Sequence, residues 1–183
     1  MTRMSRANVR ASITAGLIIA AAVVSGVFGS VLDRALVATT AWRHLGVQAW
    51  ADYSRVADLG TGDIVYPIGG ILSWGLVFAA ALAYRMDPSA PAQAGRPIYL
   101  AALAALGALL TTLVAAPVMQ HVGVVSDNDT AALHHAFDTF TLWGVYVRGV
   151  CFAVMFVCMV WALVAYFRHQ SPPGDGATTP PLK

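Results

Sequence analysis

Four stretches of the chain carry no charged residue, and each is long enough to cross a bilayer. Between Arg10 and Asp33 lie 22 uncharged residues, between Asp63 and Arg85 lie 21, between Arg96 and His121 lie 24, and between Arg148 and Arg168 lie 19. A helix needs about 20 mostly apolar residues to traverse roughly 30 Å of hydrocarbon. The runs are continuous and rich in Ala, Leu and Val, without the alternation of a membrane barrel. Lipid leaves no partner for an open backbone group, so such spans read as helices. The pattern predicts an all-α fold: an integral membrane four-helix bundle in one domain, residues 1–170, with spans at about 11–32, 64–84, 98–118 and 144–167. Residues 171–183 hold four prolines and two glycines and read as a disordered tail.

The connecting segments differ in character. The second, 85–97, is a short Pro- and Ala-rich connector. The first, 33–63, has helical periodicity from His44 to Leu59: His44, Gln48, Asp52, Arg55 and Asp58 fall on one arc, and Leu45, Ala49, Trp50, Tyr53, Val56 and Ala57 on the other. That pattern predicts an extracytoplasmic amphipathic helix lying on the membrane surface or capping the bundle. In the third segment, Ser126-Asp127-Asn128-Asp129 supplies N-cap residues, so the fourth helix is expected to begin outside the membrane and run inward. Inside the spans, Ala22, Gly26 and Ser30, then Gly107, Thr111 and Ala115, then Ala104, Ala108, Thr112 and Ala116, recur every four residues. Small residues at this spacing let helices approach closely in lipid.

Composition sharpens the class. The chain is 58% hydrophobic and 11% charged, against about 25% charged in soluble domains. A net charge of +2 without a basic-aromatic patch gives no reason to expect nucleic acid. A basic N-terminus precedes the first run, but that run is too long for a signal peptide and lacks a small-residue cleavage site, so a retained helix is expected. Arg3, Arg6, Arg10, Arg85, Arg96, Arg168 and Lys183 lie on one side, against Arg34, Arg43 and Arg55 on the other. The positive-inside rule then predicts a multi-pass protein of the cell inner membrane, with both termini cytoplasmic and the first and third connections outside.

Few residues have the means for chemistry. Arg148 precedes the last uncharged run and shares a helical stripe with His134, Asp138 and Thr141. Asp33 and Asp63 bound spans on the same side and, with Tyr66, complete a candidate polar cluster. An intramembrane charge usually faces a protein interior with a partner, so Arg148 reads either as half of a structural ion pair or as a ligand anchor. His44, His121, His134 and His135, near Asp127, Asp129 and Asp138, have donor types suited to copper or zinc. Their spacing matches no metal motif, and no metal is expected. Cys151 and Cys158 are seven residues apart, about 10.5 Å along a helix, too far to bridge. The chain has no P-loop, no G-x-S-x-G and no H-E-x-x-H, and its spans hold no histidine for a haem. No cofactor is expected.

Several segments carry a family likeness. Ser25-Gly26-Val27-Phe28-Gly29, Asp33-Arg34-Ala35-Leu36-Val37 and Ala41-Trp42-Arg43-His44-Leu45-Gly46 are joined by Trp50, Tyr53-Ser54-Arg55, Ala57-Asp58-Leu59-Gly60 and Tyr66-Pro67. Ala116-Pro117 and Phe137-x-x-Phe140-x-x-Trp143 with Arg148 continue it. Together, across residues 20–170, they resemble the anthrone oxygenase-like family of small four-helix bacterial membrane proteins, most without an assigned function. The resemblance implies oxidation of an aromatic polyketide by oxygen without an evident cofactor. The chain departs from the family at Gly144, where a histidine is expected after Trp143, so no proton-transfer role is carried over. The functional expectation is a small hydrophobic or aromatic molecule bound in an outward-opening cavity, or cofactor-independent oxygenation of it. The alternative is an accessory or structural subunit in a homo-oligomer or larger membrane complex.

Overall fold

A computed structural model describes residues 6–170, and the tail expected at 171–183 lies outside the described residues. Helices α1 (Arg6–Phe28), α2 (Val31–Asp33) and α3 (Thr39–Leu45) flank a π-helical segment, π1 (Arg34–Ala38). Helices α4 (Val47–Val56) and α5 (Gly62–Met86) are joined by π2 (Ala57–Thr61). Helix α6 (Ala92–Val122) stands alone, and α7 (Thr130–Phe140) continues through π3 (Thr141–Val147) into α8 (Arg148–Gln170). The outcome is four rods, Val9–Leu45, Val47–Met86, Ala92–Val122 and Thr130–His169, each long and apolar enough to cross a membrane. The chain is an all-α four-helix membrane bundle.

Rods of 31 to 40 residues are about 47–60 Å long, well beyond the roughly 30 Å of hydrocarbon. The excess projects at the end opposite the start of α1, here the distal end. Two cores follow from this. The membrane core holds Ile18 and Ala21 of α1, Val77 and Ala80 of α5, Ala101, Ala105 and Ala108 of α6, and Met155, Met159 and Ala162 of α8. The α6–α8 seam is the most extensive contact of the fold. Alanines on α6 allow that close approach: Thr111 and Ala115 of one small-residue row and Ala108 of the other are buried inside the bundle, while Ala116 is exposed. A Cβ on Gly107 would stand 3.1 Å from Cys151 Sγ. Both cysteines are free thiols. The distal core gathers Trp42, Trp50, Ala115, Met119, Leu133, Phe137 and Phe140.

Polar contacts close both ends. Near the start of α1, the buried Asp87 carboxylate accepts from Ser89 N at 3.0 Å and Ser89 Oγ at 2.6 Å, and from the Tyr166 hydroxyl at 3.3 Å. That ties the α5–α6 connection to α8. At the distal end, Arg55 Nη2 donates to Val125 O at 2.7 Å, Nη1 to Asp127 Oδ1 at 2.6 Å, and Nε to Val122 O at 3.2 Å. One guanidinium therefore satisfies carbonyls left open where α6 ends. Asp129 N-caps α7, accepting from Ala132 N at 3.0 Å.

Of the two placements read from periodicity, the first connection takes the capping one, with a different arc turned inward. It is a helical hairpin continuous with the spans on both sides. Gly46, at φ 95°, makes the turn between α3 and α4, and its N–H closes α3 onto Trp42 O at 2.9 Å. A positive φ costs glycine nothing and strains any side chain with a Cβ. The hairpin packs on α6 and α7 instead of lipid, which rotates its buried arc. Trp50, Ala51, Ser54 and Asp58 face inward, while Leu45, Tyr53 and Val56 from the apolar arc are exposed. The pull comes from an interior partner for Asp58, described below. Trp50 is fully buried, with its ring 5.2 Å from Phe137 and 6.1 Å from Phe140. Trp50→Ala is expected to lower stability in detergent by about 3–5 kcal/mol, measured by denaturant unfolding, with Gln48→Ala near neutral. Equal tolerance at the two positions would refute this burial.

Candidate functional site

The two cores meet at a charged junction. Arg34 is the first residue of π1, and its Nη2 donates to Asp58 Oδ1 on π2. The side chains are 18% and 4% exposed. Three rings surround the same guanidinium: Trp42 at 5.4 Å, Tyr66 at 5.5 Å and Phe140 at 5.8 Å from Arg34 Cζ. A desolvated cation over an aromatic face gains about 2 kcal/mol or more, so the rings hold the charge as well as pack against it. The first, second and fourth rods each contribute.

The third rod enters through Arg148. Arg148 Nε donates to Thr111 Oγ1 at 3.4 Å, and that hydroxyl donates onward to Ala108 O at 2.7 Å. Arg148 makes no ion pair among the described residues. The start of α8 packs on α2, where a Cβ on Gly149 would stand 3.5 Å from Val31 Cγ1, one helical turn before Arg34. Two guanidiniums and one buried carboxylate are thus gathered at one level.

Helix geometry at this level is unusual. All three π segments lie here, carrying Arg34 and Asp58 and leading into Arg148. A π turn bonds five residues back and occurs mostly as an isolated bulge, often at a functional site. In π1 the Arg34 carbonyl accepts both the Thr39 N–H and, at 2.8 Å, Thr39 Oγ1. In π2, Gly60 leaves helical geometry, with φ −86° and ψ −114°. Gly62 closes that bulge: a Cβ there would stand 2.6 Å from Ala57 O and 2.7 Å from the Tyr66 ring. In π3, a Cβ on Gly144 would lie 2.9 Å from the Phe140 ring and 3.1 Å from Ala115 Cβ. The position where the family resemblance expects a histidine is a tight crossing between π3 and α6.

Several buried polar atoms near the junction have no partner. Trp50 Nε1, Ser54 Oγ and Asp58 Oδ2 are unpartnered, and so is Thr141 Oγ1 on π3. The first three recur every four residues on the inward face of the second rod, a column about 12 Å long. The Tyr66 hydroxyl stands within reach of a weak hydrogen bond to the Asp58 carboxylate, and no donor meets Oδ2 at full hydrogen-bond geometry. An unmet buried polar atom costs about 1–3 kcal/mol, and Ser25 Oγ, Ser73 Oγ and Trp74 Nε1 are in the same state away from the junction.

The sequence-derived cluster is only partly assembled. Arg148 and Tyr66 stand at the junction. Asp33, Asp63, Asp138 and His134 are exposed, and none of the three aspartates pairs with Arg148. His44, His121 and His135 are also exposed. Among the described residues no three of His, Cys, Asp or Glu come together to hold a metal. Arg34, Asp58, Trp42, Phe140 and Thr111 escaped sequence reasoning. One signal was present: Arg34 lies twelve residues before Gly46 and Asp58 twelve after, so a hairpin turning at Gly46 sets them opposite each other.

No family model, no curated protein and no solved structure matches the chain. Fold and junction together define its class: a polytopic helical membrane protein with a charged, aromatic-lined centre at its distal end.

Removing one partner of a largely buried pair leaves the other uncompensated. Asp58→Leu is therefore expected to cost on the order of 3 kcal/mol, seen as a lower melting temperature in detergent. Adding Arg34→Met should recover part of that loss, because no lone charge remains. A strictly additive double variant would refute the pairing.

Proposed function

We propose that the chain binds a small hydrophobic, aromatic molecule at the junction, in a site entered from the extracytoplasmic side of the inner membrane. The observation that carries this is the column Trp50, Ser54 and Asp58, whose buried polar atoms have no partner, set beside aromatic rings and three π bulges. Binding sites combine an apolar lining with a few converging polar groups, and this level of the bundle has both. In the enzyme form of the reading, which the resemblance to the anthrone oxygenase-like family supports, the bound aromatic is the substrate of a cofactor-independent oxygenation. Asp58 Oδ2 is then the oxygen free to take its proton.

The accessory-subunit reading needs a row of small residues turned outward to receive another helix. Thr111 and Ala115 are buried, whereas Gly26, Ser30 and Ala116 are exposed, so small residues on the first and third rods remain open to another helix. The basic residues flanking the spans support cytoplasmic termini.

Two measurements test this. A membrane-impermeant maleimide should label Asn128→Cys on intact cells; labelling only after lysis would reverse the orientation. A ligand that binds the folded state alone raises its stability by mass action. Saturating 2-naphthamide should raise the melting temperature of the purified protein, and Ser54→Leu, which fills the column, should remove most of that rise. An equal rise in Ser54→Leu would place binding elsewhere.

A further inference from the structure

We infer that the bound molecule carries a single oxyanion on its apolar body, and that Arg148 is the anchor for it. The inference rests on the binding site proposed above and adds the chemistry of its occupant.

Charge matching leads to this assignment. Arg34 and Asp58 neutralise each other, which leaves one positive charge in excess at the junction. That charge is on Arg148. Its one protein hydrogen bond among the described residues is from Nε to a hydroxyl, Thr111 Oγ1. A guanidinium has five N–H donors in a planar fork, and among the described residues only the one on Nε has a protein partner. Carboxylates and phosphates match that fork.

Position supports the same conclusion. Arg148 is twenty residues from Arg168 on a continuous helix, about 30 Å along the axis. It therefore stands near the far hydrocarbon boundary, where an amphiphile places its head group. A long arginine at such a level could reach water by extension, yet here its Nε turns inward to the third rod. A cationic occupant is disfavoured, since it would meet both guanidiniums. A neutral one would leave the excess charge unmatched. The oxyanion can be the head group of a membrane lipid or the acid group of a free aromatic molecule, and the experiment separates the two.

The full chain is placed in phosphatidylcholine nanodiscs and titrated calorimetrically with 2-naphthoate and with its uncharged counterpart 2-naphthamide. The expected result is naphthoate binding about tenfold or more tighter than naphthamide. Arg148→Gln should lower naphthoate affinity far more than naphthamide affinity and so abolish that preference. If Arg148→Gln does not fold, Arg148→Lys should weaken naphthoate binding several-fold and naphthamide binding less, narrowing the preference. Phosphatidylglycerol doped into the discs should displace naphthoate if a lipid head group is the natural occupant, and should leave it bound if a free acid is. Equal affinity for the two probes, or a preference that survives in both Arg148 variants, overturns the oxyanion assignment while the binding site stands. If neither probe binds and phosphatidylglycerol is not retained through purification, the binding site itself falls, and this inference with it.

Discussion

A guanidinium at the edge of a hydrocarbon layer is costly unless it is paired or reaches water, and the Arg34–Asp58 pair is the constraint around which the distal half of this bundle is organised. The partners are twenty-four residues apart in the chain and on different rods. Joining them requires a tight hairpin, which Gly46 makes possible with its positive φ. It also sets the axial register of the first two rods, because a shift of one helical turn moves either group about 5 Å away. Trp42 and Tyr66, one on each rod, then fall on either side of the same cation.

The π segments answer a geometric problem created by that pair. A regular helix advances each side chain by a set angle, so one face cannot both pack the membrane core and aim charged groups at the distal centre. An inserted π turn rotates the face of the rod between its two halves. Three rods or rod junctions use this device at one level, below an alanine-rich core and above an aromatic one. The bundle is thus a close-packed membrane half joined to an aromatic distal half through a polar layer. Arg55, bridging the hairpin to the end of α6 and to Asp127, holds the distal half shut from the side.

Stability and function pull in opposite directions at this layer. Trp50, Ser54, Asp58 and Thr141 each keep a polar atom buried without a partner, a cost that a purely structural core would remove by using apolar residues of the same shape. Arg148 belongs to the same pattern, with one inward hydrogen bond to a hydroxyl and no carboxylate among the described residues.

The sequence by itself determined the class, because a charge-free run of about 20 residues has one stable solution in lipid, a helix. The number of rods, an N-cap within Ser126–Asp129 and Arg148 as a half-buried cation were legible for the same reason: each rests on local chemistry. What the tertiary structure alone decided is which charges meet. Asp33, Asp63 and Asp138 are as close to Arg148 along the chain or in span order as any partner, yet all are exposed. Asp58 read as solvent-facing from the periodicity of its own segment. Its burial comes from Arg34 on another rod, and periodicity carries no information about a neighbour. The π insertions compound this, since each shifts the helical phase that face assignments assume. Local pattern sets what each segment is; only the packing of four rods against one another sets which face turns inward and which ion finds its counter-ion.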